Sequence, residues 1–156
     1  MAPQVNPGGT PVAHTRGRRW HVELSVRFPG KKKVDVAAGS FVIHTDQSVA
    51  HGGEATAPEP FDVFLASIGA CAGVYVVAFC NSRGTPAEEI RIEEKARFDR
   101  GTLASVTLEV VVPPSFPAKY LQALQVAASS CPVKRAFDAQ PDISIRTVQA
   151  SVVARV

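Results

Sequence analysis

From Trp20 to Phe28 apolar and polar residues alternate. Trp20, Val22, Leu24, Val26 and Phe28 fall on one side, His21, Glu23, Ser25 and Arg27 on the other, the period of a strand with one wet face. Pro29 and Gly30 then read as a turn, and Lys33 to Ala37 and Ser40 to Thr45 as two more short strands separated by Ala38 and Gly39. Next comes the Gly/Pro-rich loop His51 to Pro60, HGGEATAPEP, whose last proline suits the first turn of a helix. The chain stays apolar from there to about Asn81, where Ser82, Arg83 and Gly84 supply stop signals. Ile90 to Phe98 and Leu103 to Val112 read as a second strand pair around Asp99, Arg100 and Gly101. Pro113, Pro114 and Pro117 then break the chain before a helix from about Ala118 to Cys131, on which Leu121, Leu124 and Ala128 recur at helical spacing, and Ile143 to Val153 reads as a last strand. The order βββ-α-ββ-α-β, with strands in runs, predicts an α+β fold with mostly antiparallel sheet.

The stretch Val63 to Cys80 has 18 residues and no formal charge, a length at which a membrane span is considered. Its small residues, Asp62 at its edge and the lack of a second apolar span or aromatic belt point instead to a buried helix of a soluble core, with no membrane partner. Residues 1–19 hold three Pro and three Gly without an apolar run and read as a mobile arm rather than an export signal, leaving residues 20–156 as a single domain. A net charge of +3, with basic residues scattered apart from Arg16, Arg18, Arg19 and Lys31 to Lys33, argues against a nucleic-acid partner. The three cysteines, Cys71, Cys80 and Cys131, match neither a secreted disulfide framework nor a structural zinc site. Free thiols in a reducing cytoplasm are expected.

By residue type alone, a cysteine in an apolar helix reads as a small hydrophobe, and Cys80 is assigned to packing. His44 and His51 read as surface histidines and Tyr75 as a core aromatic. Two local patterns change the reading of the other cysteines. In GGEATAPEPFDVFLASIGAC a GG-containing loop leads to a proline eleven positions before Cys71, and CPVKR follows 60 positions after Cys71, at the end of the second long helix. With the strand runs between them, these patterns make Trp20 to Ala136 resemble the OsmC/Ohr family. The resemblance implies an intertwined homodimer with two long helices buried among mostly antiparallel sheets, and sites near the subunit boundary.

The implied activity is thiol-dependent reduction of organic hydroperoxides by the pair Cys71 and Cys131. A dithiol or lipoyl-type reductant would reopen their disulfide, and no flavin, haem or metal cofactor is called for. The alternative is a non-catalytic OsmC-like protein that binds a small hydrophobic or thiol-bearing ligand at the dimer boundary. Peroxide-reducing members hold an activating arginine with a glutamate directly after the helix-starting proline, and here that position is Phe61. Glu54, Glu59 and Asp62 are the acidic residues placed to replace it, and Asp62 resembles the pattern of a branch of OsmC-like proteins. Arg27, near the family's arginine position, is the candidate cation, with Arg135 a second. A Cys131 that closes a helix would face a negative dipole that opposes its thiolate, which makes Cys71 the expected attacking thiol.

Overall fold

The computed structural model describes residues 22–149, so the expected arm 1–19, Trp20 and His21 lie outside the described residues. The chain forms two compact units, Met1–Ala66 and Ser67–Val156. Their elements are α+β with antiparallel sheets, as the order of patterns predicts.

In the first unit β1 (Ser25–Gly30), β2 (Lys33–Ala38) and β3 (Phe41–Thr45) form an antiparallel meander. The strand expected from Trp20 starts only at Ser25. Pro29 does not turn the chain either. Between the pairs Arg27–Asp35 and Gly30–Lys33 the register shifts, because a proline has no N–H for the ladder and is accommodated in a bulge, and the turn falls on Lys31 and Lys32. Val26, Val36 and Ile43 are cross-strand partners and so share one face. Phe41, two residues from Ile43, lies on that face by the same alternation and is 76% exposed.

After β3 the backbone is gathered around Asp46, whose side chain is fully buried. Its Oδ1 accepts the Gln47 N–H at 2.8 Å. Its Oδ2 accepts the N–H groups of Glu54 at 3.2 Å and Thr56 at 3.1 Å, and the Thr56 hydroxyl at 2.9 Å. These donors, the Thr56 N–H foremost, hold the Asp46 carboxyl below its ordinary pKa. The loop closes so tightly that a Cβ on Gly53 would lie 2.0 Å from the Gln47 carbonyl oxygen. Pro60 then opens α1 (Pro60–Arg83), at the position the sequence indicates.

The second unit holds the rest of α1, the hairpin β4 (Arg91–Asp99) and β5 (Thr102–Val111), and the helices α2 (Leu121–Ser129) and α3 (Pro132–Ala139). Asp99 pairs with Thr102, so the hairpin turns on Arg100 and Gly101, both at positive φ, 48° and 80°, as a two-residue primed turn requires. Ala72, Val76, Phe79 and Cys80 of α1 pack with Phe116, Leu124 and Ala128 to form the core. The Arg83 guanidinium lies 4.7 Å from the centre of the Phe79 ring, and Phe79 meets Tyr120 edge-on at 6.0 Å.

Three expectations change here. First, α1 is not covered all round. Its buried residues, Ile68, Ala72, Val76, Phe79 and Cys80, follow helical spacing, while Val74 is 67% exposed on another face. By length and composition alone α1 is apolar enough to cross a membrane. Second, the helix expected over 118–131 is a single 3-10 turn, Ala118–Tyr120, followed by α2, and a separate helix, α3, comes after it. Third, residues 143–149 of the expected last strand carry no ladder, with Ile143, Ile145 and Val148 exposed, because a strand needs a partner to satisfy its backbone. Residues 150–153 of that strand lie outside the described residues.

Gly53→Ala should force the loop open against the Gln47 carbonyl and cost about 1–3 kcal/mol. Urea denaturation reads this directly, and an unchanged midpoint would show that the loop has room the geometry denies.

Candidate functional site

The end of α2 creates the site. The residue before a proline is pushed out of the helical region, and Cys131 is extended, with φ −63° and ψ 137°. Pro132, without an N–H to leave unsatisfied, then starts α3 at its first position. Cys131 is therefore the N-cap of a new helix, and its Sγ accepts the Lys134 N–H at 3.3 Å. This adds to the expected electrostatics, since Cys131 follows the negative end of α2, as expected, and also sits at the positive pole of α3. The dipeptide Cys-Pro was itself the available signal, a cap followed by an N1 proline, but read as a stop it hides the start.

Cys71 stands half-buried on α1. The Cys131 thiol and the Val133 N–H are among its neighbours. Burial, helped by the neighbouring Cys131 thiol, pushes the Cys71 pKa up, while the Val133 N–H pulls it down. No lysine, arginine or histidine of its own unit is among the groups that act on it. Cys131 is 1% exposed, and Cys80 is buried in the core. Beside Cys131 opens a cavity of about 480 Å³, walled by Ile68, Leu103, Val106, Leu108, Val110 and Phe137, with Lys134 and Asp138 also on its lining. Those two charges pair with each other at 2.8 Å.

Of the other expected site residues, Arg135 is exposed on α3, and the rest belong to the first unit. Arg27 is exposed on β1, opposite Asp35 in the ladder. Asp62 is exposed in the first turn of α1. Glu54, considered above as an arginine holder, is bound instead by Lys31 and by Lys33, the latter at 2.9 Å, and these ammonium groups lower its pKa. Glu59 accepts the Ser48 N–H at 2.8 Å and pairs with His51 Nδ1 at 3.0 Å. The Ser48 and His51 contacts drop its pKa to about 2, so it fastens the loop before α1.

Sequence reasoning missed Glu94. It is half-buried on the same side of β4 as Ile92 and Ala96, and its carboxyl reaches the α1 backbone at Gly69, where a Cβ would come within 2.6 Å of Oε2. Burial raises its pKa, with the nearby Gly69 N–H opposing the rise, and its Oε1 has no partner among the described residues.

The fold and the site define an α+β protein with two neighbouring cysteines at a helix head. A protein-family model described as OsmC-like protein matches residues 52–146, and the chain belongs to that family. Solved structures agree in fold. A Psychrobacter arcticus protein assigned to osmotic stress and detoxification response is 15% identical with a TM-score of 0.63, covering 77% of this chain and 90% of that one. An OsmC like protein from Mycoplasma pneumoniae is 12% identical with a TM-score of 0.62, covering 78% and 89%. A Vibrio cholerae protein assigned to organic hydroperoxide resistance, with captopril bound in one of the active sites, is 17% identical with a TM-score of 0.56, covering 80% and 89%. No curated protein matches the chain in sequence.

A capping role for Cys131 separates two substitutions of similar size. Cys131→Ser keeps an acceptor for the Lys134 N–H, whereas Cys131→Ala removes it and should cost about 1 kcal/mol more in stability. Equal urea midpoints for the two variants would contradict the cap.

Proposed function

We propose that the chain is a thiol-dependent peroxidase that reduces organic hydroperoxides through Cys71 and Cys131. The observation that carries this reading is the position of the Cys131 thiol at the head of α3 as a neighbour of Cys71. The Cys71 thiolate attacks the terminal peroxide oxygen and the O–O bond breaks. Sulfur loses two electrons and becomes a sulfenic acid, and the alkoxide takes a proton and leaves as the alcohol. The Cys131 thiol then attacks that sulfur, forming the disulfide and expelling the oxygen as water. A dithiol of the lipoyl kind returns both thiols and leaves as its own cyclic disulfide. The Cys131 cavity favours organic substrates, because each methylene it buries contributes about 0.8 kcal/mol. Thiols that must be kept reduced fit a cytoplasmic location.

A second reading is a non-catalytic protein that holds a hydrophobic or thiol-bearing ligand at the same place. Phe61, where the peroxide-reducing pattern has a glutamate, favours it. So does a Cys71 whose pKa is raised by burial with no cation of its own unit beside it. Peroxide treatment distinguishes the two. One equivalent of cumene hydroperoxide should yield a Cys71–Cys131 disulfide with Cys80 free, and Cys131→Ser should trap a sulfenic acid on Cys71. With a dithiol present, turnover should exceed that with hydrogen peroxide. Peptide maps showing both thiols reduced after several equivalents would exclude the peroxidase and leave the binding protein.

The working form in this reading is a homodimer. The apolar face of β1 to β3 and the Val74 face of α1 are each exposed in the single chain, and apolar surface of that extent calls for cover. Sedimentation at micromolar concentration should show twice the 16.6 kDa chain mass. A stable monomer would contradict it.

A further inference from the structure

Resting on the reading of the Cys131 cavity as the place that holds the organic part of the substrate, we propose that the Lys134–Asp138 pair sets the charge class of that substrate. The cavity takes uncharged hydroperoxides and turns away those that carry a carboxylate, with Asp138 as the specificity-determining residue. Of the side chains that line the cavity, only these two are charged. Its other polar side chains are Ser105, Gln125 and Ser129, and the Ser129 hydroxyl donates to the Gln125 carbonyl at 2.9 Å. The Lys134 ammonium is therefore the one group on the lining that attracts an anion, and the Asp138 carboxylate already holds it at 2.8 Å. One positive and one negative charge leave the lining neutral.

Helix stability does not account for this pair. Lys134 lies in the first turn of α3 and Asp138 in its last. The positive pole of a helix disfavours an ammonium and its negative pole a carboxylate, so each charge stands at the end it would avoid. A cation four residues before an anion is also the weaker order for an isolated helix. What the order achieves is placement. Lys134, whose N–H caps the Cys131 sulfur at 3.3 Å, brings its ammonium to the cavity that Cys131 lines, and Asp138, one turn on, neutralises it there. A substrate carboxylate would have to displace Asp138 from Lys134 and then remain beside it, two like charges around one ammonium. An uncharged substrate displaces nothing. Specificity of this kind comes from repelling the wrong ligand rather than from gripping the right one.

The test compares cumene hydroperoxide bearing a para-carboxylate with the methyl ester of the same compound, turned over by the full-length protein at low salt with dihydrolipoamide in excess. The readout is the ratio of kcat/KM, ester over acid, because damage to the fold or to the thiols lowers both values and leaves their ratio alone. The unmodified protein should favour the ester. Asp138→Asn frees the ammonium without a change of size and should lower the ratio about threefold, the scale of a single exposed charge, both groups being more than half exposed. Lys134→Gln leaves Asp138 unopposed and should raise the ratio about as much. Both shifts should fade in about 1 M salt, where charges are screened within about 3 Å. An unmodified protein that favours the acid or treats the two alike would overturn the proposal. So would a ratio that Asp138→Asn leaves unmoved, or a shift that survives the salt. If the unmodified protein turns over neither hydroperoxide, the peroxidase reading fails by itself, and calorimetric titration with octanol and octanoate puts the same question to the cavity. Octanol binding tighter than octanoate, with the difference reduced in Asp138→Asn, upholds the charge assignment in a binding protein. Equal binding of the two, or binding of neither, overturns it.

Discussion

The site depends on one interruption, the break that Pro132 makes between α2 and α3. Without it the chain would carry one continuous helix through residue 131 and beyond, and Cys131 would hydrogen-bond its N–H four residues back like any helical residue. With it, Cys131 is extended and its sulfur caps α3 by accepting the Lys134 N–H. A cap usually serves only the stability of its helix. Here the capping atom is also one of the two reactive candidates, so the folding of an eight-residue helix and the chemistry of a cysteine pair share the same few atoms.

The first unit shows a comparable economy around a carboxylate. Asp46 is fully buried and would be costly there as a lone charge, yet three backbone N–H groups and a hydroxyl surround it. Glu59 and Glu54 are likewise occupied, by Ser48 and His51 and by Lys31 and Lys33. The acidic residues that flank the start of α1 therefore shape and fasten the loop that delivers Pro60. A carboxylate already satisfied by local donors has little left with which to orient a guanidinium.

Several elements could be read locally because their causes are local. The hairpin at Arg100 and Gly101 follows from two positions that tolerate positive φ between alternating strands, and α1 starts at Pro60 because a proline costs nothing at a first helical position. Where reading failed, two local meanings competed for one residue. Pro29 could turn the chain or bulge a strand, and Pro132 could end one helix or begin another. Pattern alone does not choose between them, since both uses exploit the same missing N–H.

By itself, then, the sequence determined the α+β class, the strand pairs, the long apolar helix and the two cysteines worth examining, all of which rest on periodicity and on residues acting within a few positions. Only the tertiary structure decided that Cys71 and Cys131, 60 positions apart, are neighbours at the head of a helix, and that the half-buried Glu94 reaches Gly69. It also decided that residues 143–149 have no ladder. The reason is physical: a contact between distant segments exists only when packing offsets the entropy of closing the chain between them, and no local pattern records whether it does.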